Sequence, residues 1–254
     1  MSLKKMFKDM FIIAYMKSVP DLRRQPLVLL ILVGLAAIPL FFIGMFAGDD
    51  PDTFRVGLVG VVVSSVGFIA ITSSIQDITW DRYVKLREMV VAMPVHPMSY
   101  ALGISLGFLI FSLPGSVAFI IYGMYLGVFG PLSLLMTLAA MVLCWAALAA
   151  MGFTIATYQH KTSPNTLGIL ANILSFVFVF LPPVYYSEQM LGKLSWISYL
   201  LPTSNAAAII RHYTGLTDPS ALYPTSVALH WLILVFTVIM FSVIVVKKSQ
   251  WREP

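Results

Sequence analysis

Charge is what this sequence has least of. Only 11% of its 254 residues are Asp, Glu, Lys or Arg, where a water-soluble domain carries about 25%. With 59% of the residues hydrophobic and a mean hydropathy of +0.89, too little polar surface exists to coat a fold in water. Lipid is the solvent that this composition fits. Cysteine is nearly missing too. The single Cys144 excludes an internal disulfide and any Cys-based metal spacing. Inside an apolar stretch it reads as a small residue facing lipid or another helix. No phosphate-binding loop is present: Gly192-Lys193 is followed by Leu194 and lacks the first glycine of that motif. His96, His160, His212 and His230 are scattered with no metal-ligand spacing, so neither a bound cofactor nor a metal site is expected, and an enzyme is poorly supported. The basic start is followed by only a short apolar stretch, Phe11–Met16, which does not read as a cleavable signal.

What is present is a series of long apolar runs. A crossing helix needs about 20 apolar residues, because the hydrocarbon core is about 30 Å thick. Six segments qualify: Leu27–Ala47, Val56–Ile75, Tyr100–Leu126 (with Pro114-Gly115 inside it), Leu132–Thr157, the shorter Thr166–Leu181, and Thr225–Val246. None contains Asp, Glu, Lys or Arg, which argues against proton relays and voltage sensors. The expected fold is all-α, a polytopic membrane protein of six transmembrane helices.

The net charge of +5 reads as contact with a membrane surface and not with nucleic acid, because the cations flank apolar spans. With the amino terminus inside, only Arg55, Lys193 and Arg211 of the 16 basic residues fall outside, leaving 13 on the cytoplasmic side. That bias predicts a multi-pass cell-membrane protein with both termini cytoplasmic.

Three segments stand apart from the spans. In residues 1–25, Leu3, Met6, Phe7, Met10, Ile13 and Ala14 recur at helical spacing, with Lys4, Lys5, Lys8 and Asp9 on the opposite arc. This predicts an amphipathic helix in the cytoplasmic interface, with Pro20 and Pro26 punctuating its passage into the first span. In residues 76–99, Asp77 to Met93 reads as one charged helix with Asp81 and Lys85 as an i, i+4 pair, ended by Pro94 and Pro97. Residues 182–224 are too apolar for an aqueous loop, with Val184, Tyr185, Tyr186, Leu191, Trp196, Ile197 and Tyr199 among them. Short helices dipping back into the outer leaflet would explain this. Phe176, Phe178, Phe180, Tyr185 and Tyr186 read first as lipid contacts.

Taken together, Trp80–Gly103 with its Pro94-Val95 pair and Gly103, the stretch Pro183–Gly215 with Trp196-Ile197, Tyr199, Leu201-Pro202-Thr203, Arg211 and Gly215, and the amphipathic start resemble the ABC transporter type-2 permeases. The resemblance covers the whole chain as a single permease domain with an outer re-entrant hairpin. It implies the membrane subunit of an ATP-driven exporter, without ATPase motifs of its own. The implied partners are an ATP-binding cassette subunit that binds the ATP, a second permease chain in a homo- or heterodimer, and membrane lipid, but no nucleic acid. Coupling to the ATPase subunit would fall to Arg82, Lys85, Arg87 and Glu88 as docking charges, and to Met93, Pro94 and Val95 as an apolar contact. The alternative is a non-transporting membrane scaffold or sensor subunit that recruits a cytosolic partner.

Overall fold

Proline sets the helix starts. Pro26, Pro51, Pro97, Pro131, Pro164 and Pro202 each begin an α-helix, a position where the missing N–H costs nothing and the fixed φ already fits. The computed structural model describes residues 3–24, 26–46, 50–84, 97–159, 162–217 and 225–248. Among them it is all-helical, with no strand. The elements are α1 (Leu3–Arg24), α2 (Pro26–Phe46), α3 (Pro51–Tyr83), α4 (Pro97–Tyr125), α5 (Pro131–Tyr158), α6 (Pro164–Phe180), a 3-10 helix (Glu188–Tyr199), α7 (Pro202–Tyr213) and α8 (Val227–Lys248).

Four of these helices contain stretches long and apolar enough to cross a membrane: Pro51–Asp81, Ser99–Tyr125, Pro131–Tyr158 and Val227–Val245. The expected first and fifth spans correspond to shorter apolar stretches among the described residues, Ala36–Met45 within α2 and the 17-residue α6. At 1.5 Å per residue α6 measures about 26 Å.

Burial separates a centre from a periphery. α3 packs against α2, α4, α5, α6 and α7, and Leu58, Val59, Val61 and Val62 are wholly buried. A helix apolar all round belongs in such a position. α5 turns a stripe of small residues inward, Ser133, Thr137, Ala140, Cys144 and Ala147. Small residues let helix backbones approach closely where hydrophobic driving force is weak. Cys144 is thus helix-facing. The outer faces carry the opposite pattern. Leu30, Phe41 and Met45 of α2, Ile169, Ile173 and Phe176 of α6, and Leu232, Phe236 and Ile239 of α8 are all exposed, as a lipid-facing belt would be.

α1 runs through Pro20 to Arg24, within the expected 1–25 segment. One sequence expectation is corrected here. The charged helix expected to begin at Asp77 does not begin there, because α3 runs unbroken for 33 residues to Tyr83 and carries Asp77 and Asp81 on its last turns.

The apolar arc expected of α1 is also largely spent on protein. Ala14 is 1% exposed, and Met6, Met10 and Ile13 are part-buried where α1 packs along α4. The close approach is made at Gly103 and Gly107. A Cβ on Gly103 would lie 2.7 Å from Ile13 Cβ and 2.9 Å from the Met10 carbonyl oxygen. Gly103→Val is therefore expected to cost about 1–3 kcal/mol through overpacking. Limited proteolysis should then cut α1 faster while the α3–α5 bundle stays protected; unchanged cleavage of α1 would count against this contact.

Candidate functional site

The last turns of α3 place Asp77 and Asp81 four residues apart, hence on one face. Lys17 approaches from α1 and Tyr100 from the first turn of α4. Lys17 Nζ lies 3.1 Å from Asp77 Oδ2 and 3.2 Å from Asp81 Oδ1. The Tyr100 hydroxyl donates to Asp81 Oδ2. One ammonium, two carboxylates and one phenol thus tie three helices at a single point. Asp81 and Tyr100 are 7% and 6% exposed. Lys17 is partly covered, and that burial works against its charge, but the Asp77 and Asp81 carboxylates outweigh it and hold the ammonium pKa above its usual 10.5. Tyr100 also packs with Ile104 and Phe108 of α4, against Ile13 of α1 and Ile69 of α3. The junction is therefore polar at its centre and apolar around it.

Of the residues expected to carry coupling, Arg82 sits in the final turn of α3, one residue beyond Asp81. Lys85, Arg87, Glu88, Met93, Pro94 and Val95 lie outside the described residues. The carboxylate of Asp81, expected to pair with Lys85, is engaged by Lys17 and Tyr100. Trp80 and Tyr83 are exposed on the same turns and meet edge to face at 5.6 Å. Lys17 and Tyr100 were not among the expected site residues. Lys17 does carry a sequence signal, since it falls seven after Met10, four after Ile13 and three after Ala14. A lysine on the apolar arc of a helix calls for a buried anion.

A second polar cluster lies in the 182–217 region. Arg211, at the end of α7, is 1% exposed. Its Nη1 donates to the carbonyls of Val184 (3.3 Å) and Tyr186 (3.1 Å), and its Nη2 to that of Pro183 (3.0 Å) and to Glu188 Oε2 at 2.5 Å. Thr225 Oγ1 donates to the other Glu188 oxygen at 3.1 Å. Burial alone would push the Glu188 carboxyl up, but the Arg211 guanidinium beside it holds it below the usual carboxylate range. Next to this pair, His230 of α8 contacts Asn205 Oδ1 through Nδ1 at 2.8 Å and stacks on Tyr199 at 4.4 Å. Asn205 Nδ2 donates to the Tyr199 and Leu201 carbonyls, so Oδ1 is the acceptor and His230 Nδ1 carries the proton. Arg211, counted from sequence as an outer loop cation, is an internal pin. Gly215 closes α7 with φ 71°, and Leu216 N–H reaches the Arg211 carbonyl at 2.9 Å, a left-handed helix stop that glycine favours.

No family model matches this chain, and no curated protein does.

Gly103-Ile104-Ser105-Leu106-Gly107 has the spacing of a Gly-x-Ser-x-Gly nucleophile elbow. That motif works on a sharp strand-to-helix turn that lifts the serine into the open. Here it lies inside continuous helix α4, Ser105 is 3% exposed, and both glycines are the notch in which α1 rests. The spacing serves helix packing. Among the described residues no group of His, Cys, Asp and Glu is arranged to hold a metal ion.

Proposed function

We propose that this chain is the permease subunit of an ABC-type exporter in the cell membrane, moving a substrate outward with ATP hydrolysed by a separate subunit. In this reading α2 and α6 complete six crossings, both termini are cytoplasmic, and the 182–224 stretch forms a re-entrant hairpin on the outer side. The ATPase subunit docks on Arg82, Lys85, Arg87, Glu88, Met93, Pro94 and Val95, and a second permease chain completes the pathway. The chain supplies no nucleotide site and takes its energy from its partner.

The observation that supports this best is the junction of Lys17, Asp77, Asp81 and Tyr100. α3 and α4 are the two helices that flank the coupling segment, and α1 is pinned to both. A push on residues 82–96 would therefore move α1, α3 and α4 as one body. Nucleotide-driven coupling requires a partner that contacts this surface differently in its two states, and a rigid receiving end is what transmits that difference.

The test is co-expression with an ATP-binding cassette subunit encoded beside it. The expected result is a complex that survives purification and whose ATP hydrolysis is stimulated in membranes. A stable complex without stimulation would identify a scaffold or sensor subunit instead, and outward exposure of residues 76–99 would overturn both readings.

A further inference from the structure

Three buried ionisable groups meet near the start of α8. Glu188 and Arg211 are 3% and 1% exposed, and their charges cancel. His230, also 1% exposed, lies within electrostatic reach of both. From the 3-10 helix it faces Glu188 and Tyr199, and from α7 it faces Arg211 and Asn205. α5, which also packs along α8, has no Asp, Glu, His, Lys or Arg, only the weakly acidic Cys144 and Tyr158.

The imidazole suits this place only while it is neutral. Its Nδ1–H is committed to Asn205 Oδ1, and Nε2 has no hydrogen-bond partner among the described residues. In the neutral ring Nε2 is an acceptor; in the protonated ring it is a charged donor. The Glu188 oxygens already accept from Arg211 and Thr225, and the one negative charge there is balanced. A second cation would leave the cluster with a buried net charge, which is costly. The Arg211 guanidinium keeps the Glu188 carboxyl below the usual carboxylate range, so Glu188 stays ionised where an imidazole titrates. Position makes the histidine consequential. Asn205 holds the Tyr199 and Leu201 carbonyls, and the Tyr199 hydroxyl accepts from the Ser226 N–H. His230 therefore ties α8 to the end of the 3-10 helix and the start of α7 at one point.

We infer that His230 is a proton-operated latch: neutral, it fastens α8 to the 3-10 helix and α7 through Asn205 and Tyr199; protonated, it is driven out of the Glu188–Arg211 cluster and the fastening opens. The latch does not depend on the exporter reading, although the topology of that reading would place it on the outer side, where it would answer to external acidity. The open form takes up one proton that the closed form refuses. The opening equilibrium should therefore rise about tenfold for each pH unit below the ordinary imidazole value of about 6.5, and be flat above it.

The test is hydrogen–deuterium exchange of the full chain in nanodiscs between about pH 5 and about pH 8, the range an imidazole spans, with each rate divided by the intrinsic amide rate at that pH. Peptides from residues 188–207 should lose protection about tenfold per unit below about pH 6.5, while those from 132–157 hold theirs. His230→Gln, whose amide can still donate to Asn205 Oδ1, should be flat across the range. The wild-type profile decides the matter even where that variant fails to fold. Four results would overturn the inference. A flat wild-type profile would mean that opening takes up no proton. Protection that rises on acidification would mean that Glu188 accepts the imidazolium as a partner. The wild-type slope persisting in His230→Gln would mean that another group carries the proton. Parallel loss in 132–157 would be general acid unfolding. Each of these leaves the exporter reading standing.

Discussion

Arg211→Met is expected to destabilise the protein by about 3–5 kcal/mol, the usual cost of leaving a buried charge without its partner. Methionine fills much of the same volume but supplies no donors. The Glu188 carboxylate, 3% exposed, would lose its charged partner and keep only neutral hydrogen-bond donors, the Thr225 hydroxyl and a backbone N–H, among the described residues. The carbonyls of Pro183, Val184 and Tyr186 would each lose a charged donor. Thermal unfolding in nanodiscs should show the loss directly. Glu188→Gln should cost less, because a neutral amide can still accept from the guanidinium. The double variant Arg211→Met/Glu188→Gln should be less destabilised than the sum of the two, since the uncompensated charge is gone. Strict additivity would mean that the pair contributes nothing as a pair. The double variant should still fall short of wild type, because the three carbonyls remain without their donor. The physical reason for so much investment is the shape of the 182–187 segment, where irregular backbone is packed among helices. Buried backbone of this kind is tolerated only when its polar groups are satisfied, and one arginine satisfies three of them.

The outline of this fold was legible because apolar run length is a local property. The expected Leu132–Thr157 and Thr166–Leu181 differ from α5 and α6 by one or two residues at each end. Short helices within 182–224 are what a composition that no aqueous loop would carry predicts, and the 3-10 helix and α7 lie among its described residues. The errors share a cause. Asp77 and Asp81 read as the start of a separate charged helix because charge marks the end of an apolar window, whereas helix continuity depends on backbone bonds that are indifferent to that boundary. Lys17 and Arg211 read as surface cations because their partners are remote, Asp77 sixty residues from Lys17 and Glu188 twenty-three from Arg211. Spacing within one helix can say that a lysine lies on the wrong arc; it cannot say which helix brings the anion. Gly103-Ile104-Ser105-Leu106-Gly107 teaches the same lesson from the other side. A five-residue pattern acquires its meaning from the element that carries it, and inside α4 the two glycines are a packing notch.

Removing the junction at Lys17 is expected to separate stability from coupling. Lys17→Met alone leaves Asp77 and Asp81 facing each other across one helical turn, and should cost about 1.5–3 kcal/mol, the range for hydrogen bonds to charged groups; the lower end applies because Lys17 and Asp77 are partly solvated. The sign of its pH dependence follows from the raised lysine pKa. The contribution is full below the unfolded value of 10.5 and is lost as pH rises through the higher folded value, so the variant and the wild type should differ by a constant amount across the neutral range. The informative variant is Lys17→Met/Asp77→Asn/Asp81→Asn, in which no charge is stranded. Replacing a whole buried ion cluster is often close to neutral for stability, so this protein should melt near the wild type. Its three helices would then lack their polar tie and be held by apolar packing, around Tyr100 and Ile13 and at the Gly103 and Gly107 notch, and a displacement entering at residues 82–96 would be absorbed there. In the complex with an ATP-binding subunit, ATP hydrolysis should persist while its stimulation by the permease is largely lost, and Lys17→Arg should preserve most of it. A triple variant that melts normally and keeps full stimulation would show that the junction is ordinary helix packing and that coupling, if it occurs, travels by another route.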